Sequence, residues 1–285
     1  MGNFLEGRRL AVIGDPVEHS LSPVLQQAML DALGISCAYG RITVPAGTTA
    51  DWLKGAERGD LAGFNATMPH KTALVPLMDT LSEDARMYGA VNTVVLRDGK
   101  RYGFNTDGEG FLRALSSAGI SHEGKSIAML GAGGAARAVA LKLAASGAGR
   151  ITVLCRTPAK AQALVQASPL IRAGAMDKRA LEQALAQAGL LINCTPLGME
   201  GVPAQFSDFS FLDALPASAP VCDVIYRPLK TRLLEEAEQR GHAILNGLGM
   251  LMHQGILALE HFCGESLDAA AMEKAIRARL IPALG

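Results

Sequence analysis

The chain reads as short apolar runs separated by amphipathic stretches, an alternation that continues over almost its whole length. Apolar runs at residues 9–13, 39–44 and 61–67 predict three strands, with helix patterns over 24–33 and 51–58 between them. A helix through 72–78 follows, with Pro69 at its first position. Residues 90–96 and 101–105 flank Asp98-Gly99, a strong signal for a two-residue hairpin. A helix over 108–118 leads to strands at 127–130 and 151–154, joined by an Ala/Leu-rich helix. Beyond a helix after Lys160 and a weak segment at 171–176 come a helix at 178–187 and a strand at 190–194. Residues 201–220, rich in Pro, Ser and Phe, predict a loop with little regular structure. The last strands are 221–225 and 243–245, and the last helices 231–240, 250–261 and 267–280. Strands alternating with helices predict an α/β fold on parallel sheets.

Composition narrows the class. With 285 residues the chain suits one large or two medium domains, and 49% hydrophobic with 19% charged residues is the make-up of a folded globular protein. Acids and bases balance at 27 each, which argues against a nucleic-acid or anionic-membrane partner. Five cysteines, at 37, 155, 194, 222 and 263, show neither C-x-x-C nor metal-ligand spacing; they read as reduced thiols of a cytoplasmic protein without a metal. The N-terminal stretch lacks the apolar core of a signal peptide, and no run is long enough to span a membrane.

The candidate chemistry centres on residues 125–156. Gly131, Gly133 and Ala136 stand in G-x-G-x-x-A spacing between an apolar strand and a helix, so Gly131, Ala132, Gly133, Gly134, Ala135 and Ala136 form a candidate phosphate-binding turn. The first glycine permits the tight turn, the second lets the backbone approach a pyrophosphate, and the small third residue lets helix pack on strand. A dinucleotide unit selecting NAD carries an acid at the end of its second strand. Here Cys155, Arg156, Thr157, Pro158 and Lys160 stand there, two cations and no acid, which favours the 2′-phosphate of NADP. A helix cap at Thr157 with Pro158 behind it explains those two residues but not a lysine in the first turn.

Other loops add polar candidates. Ser20 and Ser22, two apart, suit a polyhydroxylated ligand, although Ser22 before Pro23 also reads as a helix cap. Lys71 falls in a first helical turn, where a cation is unfavourable unless it faces an anion; His70 beside it is assigned to packing or the surface. Thr106 and Glu109 form a T-x-x-E capping box with Asp107 in the first turn. The strand at 190–194 ends in Thr195-Pro196-Leu197-Gly198, and Gln254 is a polar residue on an apolar helix face with Met250 and Ala258.

The motifs GDPVEHSLSP, GFNATMPHK, GAVNT, GFNTDGEGF, GAGGAARA, CRTPAKA, NCTPLGM, DVIYRPLKT and NGLGMLMHQ together resemble the shikimate dehydrogenase family over nearly the whole chain. The resemblance implies a Rossmann-type doubly wound parallel sheet domain at 107–249 that binds NADP. It also implies a second α/β domain with a mainly parallel sheet at 1–106, completed by 250–285, that binds substrate. It implies Lys71 and Asp107 as the catalytic pair. Ser20, Ser22, Thr67, Asn92, Tyr226 and Gln254 match substrate-binding positions, with Asn65 supporting. Residues 131–136, Arg156, Thr157 and Lys160 match cofactor positions, and Thr195, Val224, Gly247 and Met250 match those lining the nicotinamide. The implied reaction is reversible NADP-dependent reduction of 3-dehydroshikimate to shikimate, by a monomer or homodimer. Action on quinate or an aminated analogue with NAD or NADP, and a non-catalytic NADP sensor, remain as alternatives. Two departures stand out: Cys155 replaces a common Asn, and Gln26-Gln27 replace a common His-Asn.

Overall fold

The computed structural model describes residues 4–284. In chain order the elements are β1 (Arg9–Gly14), α1 (Ser22–Ala32), β2 (Ala38–Thr43), α2 (Thr49–Ala56), β3 (Leu61–Ala66), α3 (His70–Ala73), β4 (Thr80–Leu81), α4 (Glu83–Tyr88), β5 (Thr93–Arg97) and β6 (Lys100–Phe104). Then come α5 (Asp107–Ser117), β7 (Ser126–Leu130), α6 (Gly134–Ala145), β8 (Arg150–Cys155), α7 (Gln162–Ala167), β9 (Ile171–Ala175), α8 (Lys178–Leu185) and β10 (Leu190–Asn193). The chain closes with β11 (Val221–Asp223), α9 (Arg232–Gln239), β12 (Ile244–Leu245), α10 (Leu248–Cys263) and α11 (Ala269–Leu284). Two compact units result: one takes the chain through Thr106 and again from Met252, the other Asp107–Leu251.

The first unit holds a mixed sheet in the order β2-β1-β3-β5-β6-β4. β1 runs parallel to β2 and β3, and β4 to β6, whereas β5 is antiparallel to both neighbours. The reversal is written at the Asp98-Gly99 turn, where φ values of 53° and 69° give the left-handed pair a tight hairpin needs. Its register sets Asn65 opposite Thr93 and Thr93 opposite Phe104. The start of β5 and the end of β6 therefore share an edge with the carboxyl end of β3. One face packs Ile13, Phe64, Val94 and Leu96 against Leu53, Leu74 and Ala85. On the C-terminal helices, a Cβ at Gly63 would lie 2.8 Å from the Phe262 ring, so β3 and α10 meet at a distance only glycine allows. Arg279 on α11 pairs with Asp31 on α1 at 2.6 Å.

The second unit is an all-parallel sheet in the order β12-β11-β10-β7-β8-β9. Strand order reverses between β7 and β10, the switch point at which open α/β sheets bind ligands.

Several elements differ from the sequence pattern. The helix expected at 72–78 is a single turn, α3, followed by a 3-10 turn at Val75–Leu77. α4 is too short to show a helical period in the sequence; Ser82 caps it by accepting from Ala85 N–H at 3.2 Å, and Gly89 closes it at φ 62°. The weak segment is a full strand, β9, paired along β8. The stretch 201–220 contains a 3-10 turn, Ser210–Ala214, because Phe206, Phe209 and Phe211 are core residues packed with Leu181 and Leu185 of α8. Among the described residues no helix is long and apolar enough to cross a membrane.

Candidate active site

At the first unit's sheet edge, the loops leaving β1 and β3 touch. A Cβ at Gly14 would lie 2.5 Å from Thr67 Cγ2. Thr67 N–H donates to Ile13 C=O at 2.9 Å, and Thr67 C=O accepts from His70 N–H at 3.0 Å, opening α3 behind the cis Met68–Pro69 bond. Pro69 stands at the cap rather than at the first helical position. A four-residue helix is not held by its own hydrogen bonds. It is pinned at Lys71, whose carbonyl accepts from Val91 N–H at 2.8 Å, and at His70, whose Nδ1 lies 2.8 Å from Thr49 Oγ1. His70 is wholly buried, a packing residue, with its Nε2 lacking a hydrogen-bond partner. Lys71 is half-buried. So short a helix has little dipole, and the helix-end argument for Lys71 loses its basis.

Ser22 is the first residue of α1 and does not cap it; Leu21 stands at the cap without a side-chain bond. Ser20 Oγ instead donates to Ser22 Oγ at 3.1 Å, and Ser22 N–H reaches Ser20 Oγ at 3.3 Å. The Arg41 guanidinium fixes this loop by donating twice to Ser20 C=O, at 3.2 and 2.7 Å. The two hydroxyls are thereby brought together. Asn92 precedes β5 and is buried: its Nδ2 donates to Thr106 Oγ1 at 2.9 Å, and its Oδ1 accepts from Thr106 N–H at 3.0 Å. That bond removes the expected capping box, because the Thr106 N–H is already used and Glu109 pairs with Lys142 at 2.9 Å and Arg113 at 3.4 Å. Asp107, next in the chain, is buried at the start of α5. Gln254 is half-buried on α10, beside Gly255, whose carbonyl accepts from Gln26 Nε2 at 2.9 Å. Gln27 accepts from Tyr39 N–H at 3.0 Å. The two glutamines that depart from the family pattern thus tie α1 to α10 and β2.

In the second unit, a Cβ at Gly131 (φ 99°) would lie 2.9 Å from the Cys194 carbonyl oxygen, across the switch point between β7 and β10. Nothing stands within 4 Å of a Cβ at Gly133 or Gly134, and Gly133 caps α6 without a side chain. Open space over the first turn of a twelve-residue helix is what a pyrophosphate needs: free N–H groups and the positive helix end. Ala132 and Ala135 are half-buried, and Ala136 is fully buried against the sheet. Arg156, Thr157 and Lys160 are exposed beyond β8, Lys160 in the 3-10 turn Pro158–Ala161. Thr157 does not cap this turn by its side chain; its carbonyl accepts from the Cys155 thiol at 3.2 Å and from Lys160 N–H at 2.9 Å.

Further along that edge, Thr195 Oγ1 donates to Asn193 Oδ1 at 2.7 Å, and Asn193 Nδ2 donates to Asp223 Oδ1 at 3.1 Å. Asp223 also accepts from Ile225 N–H at 3.0 Å and Thr231 Oγ1 at 2.7 Å. Burial pushes its carboxyl up to about 6 against these three donors. Val224 N–H donates to Asn193 C=O at 3.0 Å, and Gly247 N–H to Ile225 C=O at 2.9 Å. A Cβ at Gly247 would overlap the Val224 carbonyl oxygen, so these two positions are held together by close backbone approach. Met250 is buried in the first turn of α10, and Tyr226 is half-buried, its phenol raised by burial and opposed by Arg227. Asn193, Asp223 and Thr231 drew no role from the sequence. The signal for Asn193 and Asp223 was a polar residue ending an apolar strand, and for Thr231 a hydroxyl at the start of α9.

Together these features define a two-unit α/β protein whose second unit is a Rossmann-type sheet with an open glycine turn at the start of α6. Residues 12–94 match the shikimate dehydrogenase substrate binding domain, and residues 127–198 the saccharopine dehydrogenase NADP binding domain. The shikimate dehydrogenase (NADP(+)) of Symbiobacterium thermophilum is 42% identical over 280 residues, 96% of this chain and 95% of that protein. The structure of shikimate 5-dehydrogenase from Thermus thermophilus in complex with NADP(H) and shikimate has a TM-score of 0.83 at 38% identity, covering 95% of this chain and 99% of that one. Quinate dehydrogenase from Corynebacterium glutamicum in complex with NAD has a TM-score of 0.86 at 30% identity, covering 96% and 99%. The chain belongs to the shikimate dehydrogenase family.

Proposed function

We propose that this chain catalyses the reversible NADP-dependent reduction of 3-dehydroshikimate to shikimate, in the cytoplasm, as a monomer or homodimer. The first unit binds the substrate and the second the dinucleotide. What supports this most is the polar set at the first unit's sheet edge. Thr67, Lys71 and Asn92 are tied to one another by the β3–β5 pairing and the Lys71–Val91 backbone bond, with the paired hydroxyls of Ser20 and Ser22 following β1. A substrate with several hydroxyls and a carboxylate matches such a set. The five free thiols fit a reducing compartment.

Gly131–Ala136 hold the pyrophosphate on the α6 N-terminus, and Arg156, Thr157 and Lys160 hold the 2′-phosphate. Thr195, Val224, Gly247 and Met250 line the nicotinamide. NADP, when bound, supplies or accepts the hydride. Lys71 gives the proton to the substrate oxygen in reduction, removes it in oxidation, and stabilises the charge that develops there. Asp107 is the second catalytic residue and binds a substrate hydroxyl. Ser20, Ser22, Thr67, Asn92, Tyr226 and Gln254 bind the remaining hydroxyls and the carboxylate.

Lys71→Ala tests the assignment. Its kcat is expected to fall by about 10²–10⁴-fold, the usual contribution of a positioned acid–base group, while NADPH titrated by fluorescence binds as in the wild type. Near-normal turnover would remove Lys71 from the mechanism.

A further inference from the structure

The two faces of the β5–β6 hairpin are covered differently. Val94 and Leu96 belong to the core. Alternation puts Val95 and Arg97 of β5 on the opposite face, where Val95 stands across from Tyr102 of β6. Phe104, two residues after Tyr102, shares that face. The end of α10 covers it only in part. The His261 ring stacks on Phe104 at 3.9 Å and 16°, and past Cys263 the chain turns at Gly264 (φ 79°). Between them lies a groove of about 530 Å³, lined by Val95, Tyr102, Phe104 and His261. That size falls in the ~300–1,000 Å³ range of small-molecule sites. None of the residues proposed to hold substrate lines it.

The groove also carries charge. Half-buried Arg97 lines it, donating to Phe262 C=O at 3.3 Å with its guanidinium 4.1 Å from the Phe4 ring centroid. Among the described residues Arg97 has no carboxylate partner. Glu260, in the last turn of α10, and Glu265, just beyond it, line the same groove. Glu260 accepts from Leu267 N–H at 3.1 Å, and Glu265 is exposed. Burial holds the His261 imidazole below its ordinary value, with Glu260 opposing, so the ring is neutral at neutral pH and stands as a flat wall. One cation and two anions thus border the space. A simple anion meets net repulsion there, and a simple cation leaves Arg97 unanswered. A zwitterion answers both signs, and the aromatic wall suits a ring.

We propose that this groove binds a free aromatic amino acid, its carboxylate on Arg97, its ammonium toward Glu260 and Glu265, and its ring against the Phe104–His261 stack. The site lies wholly within the first unit and does not rest on the proposed function. A free amino acid fits better than the end of a peptide, which carries only one of the two charged groups.

Calorimetric titration of the full chain with L-phenylalanine tests it. Binding is expected. L-phenylalaninamide, which lacks the carboxylate, and N-acetyl-L-phenylalanine, which lacks the ammonium, should each bind at least about tenfold more weakly, as loss of a charged hydrogen bond does. L-alanine, which lacks the ring, should give no measurable heat. Arg97→Gln should lose about tenfold in affinity for L-phenylalanine and none for the amide. A merely structural effect of the substitution would weaken both ligands alike. Glu265→Gln, at the exposed rim, should weaken L-phenylalanine and leave the N-acetyl compound as it was; it decides should Arg97→Gln not fold. No binding of L-phenylalanine, equal affinity for all three phenylalanine ligands, or affinity untouched by both variants would overturn the proposal. So would binding that saturating shikimate abolishes, which places the ligand in the proposed substrate site. A second copy of this chain in the groove would appear in sedimentation as a dimer that Arg97→Gln dissociates, without amino-acid binding, and that result also overturns it.

Discussion

Two glycines that look alike in the sequence have opposite reasons to be glycine. At Gly247 a side chain would run into the Val224 carbonyl, while at Gly133 it would meet nothing within 4 Å. Gly247→Ala should therefore cost stability, about 1–3 kcal/mol as overpacking does, read as a lower denaturant midpoint with an unchanged slope. Gly133→Ala should leave that midpoint within about 0.5 kcal/mol but weaken NADP⁺ binding measured by calorimetry. Full-strength binding in Gly133→Ala would mean that no phosphate approaches that backbone. The glycine turn was legible because its chemistry lies in local spacing. Ser22 was not: whether its hydroxyl caps α1 or meets Ser20 depends on Arg41, which fixes the loop from a strand about twenty residues away. Thr106 misled for the same kind of reason. Its local pattern is a capping box, and Asn92 overrides it from across the hairpin.

Elements were legible where turn chemistry and period agreed. Asp98-Gly99 predicted the hairpin, and the hairpin carries the start of β5 round to the carboxyl end of β3. β9 was not legible, because Ile171 is its one large apolar residue, nor was the 3-10 turn at Ser210–Ala214, which is too short to show a period; tertiary packing supplies what pattern lacks. The buried Asp223 joins β10, β11 and the start of α9. Burial raises its carboxyl from 3.8 to about 6, so the folded state holds the proton more tightly than the unfolded state. Its stabilising contribution is full below about pH 4 and is lost as pH rises through about 6. Between those values the wild type should lose on the order of 2–3 kcal/mol relative to Asp223→Asn. Chemical unfolding at a series of pH values measures it, and a difference that stays flat from about pH 4 to 7 would contradict the assignment.

Across the whole molecule, the β/α alternation told the fold class, but it did not tell that the first unit reclaims the chain at Met252. That return depends on contacts remote in sequence, such as Gln26 to Gly255 and Gly63 against Phe262, which no local period encodes. The resemblance of motifs carried that part of the reading. Joined to the two cations that stand in place of an acid after β8, which favour NADP, it gives the sharpest claim: a shikimate enzyme working with NADP. The direct measurement is initial rate, followed at the NADPH absorbance, for shikimate and quinate, each with NADP⁺ and with NAD⁺. The kcat/KM for shikimate with NADP⁺ is expected to exceed that of each of the other three pairings by at least about tenfold. A higher value for NAD⁺ or for quinate, or no turnover of shikimate, would contradict it.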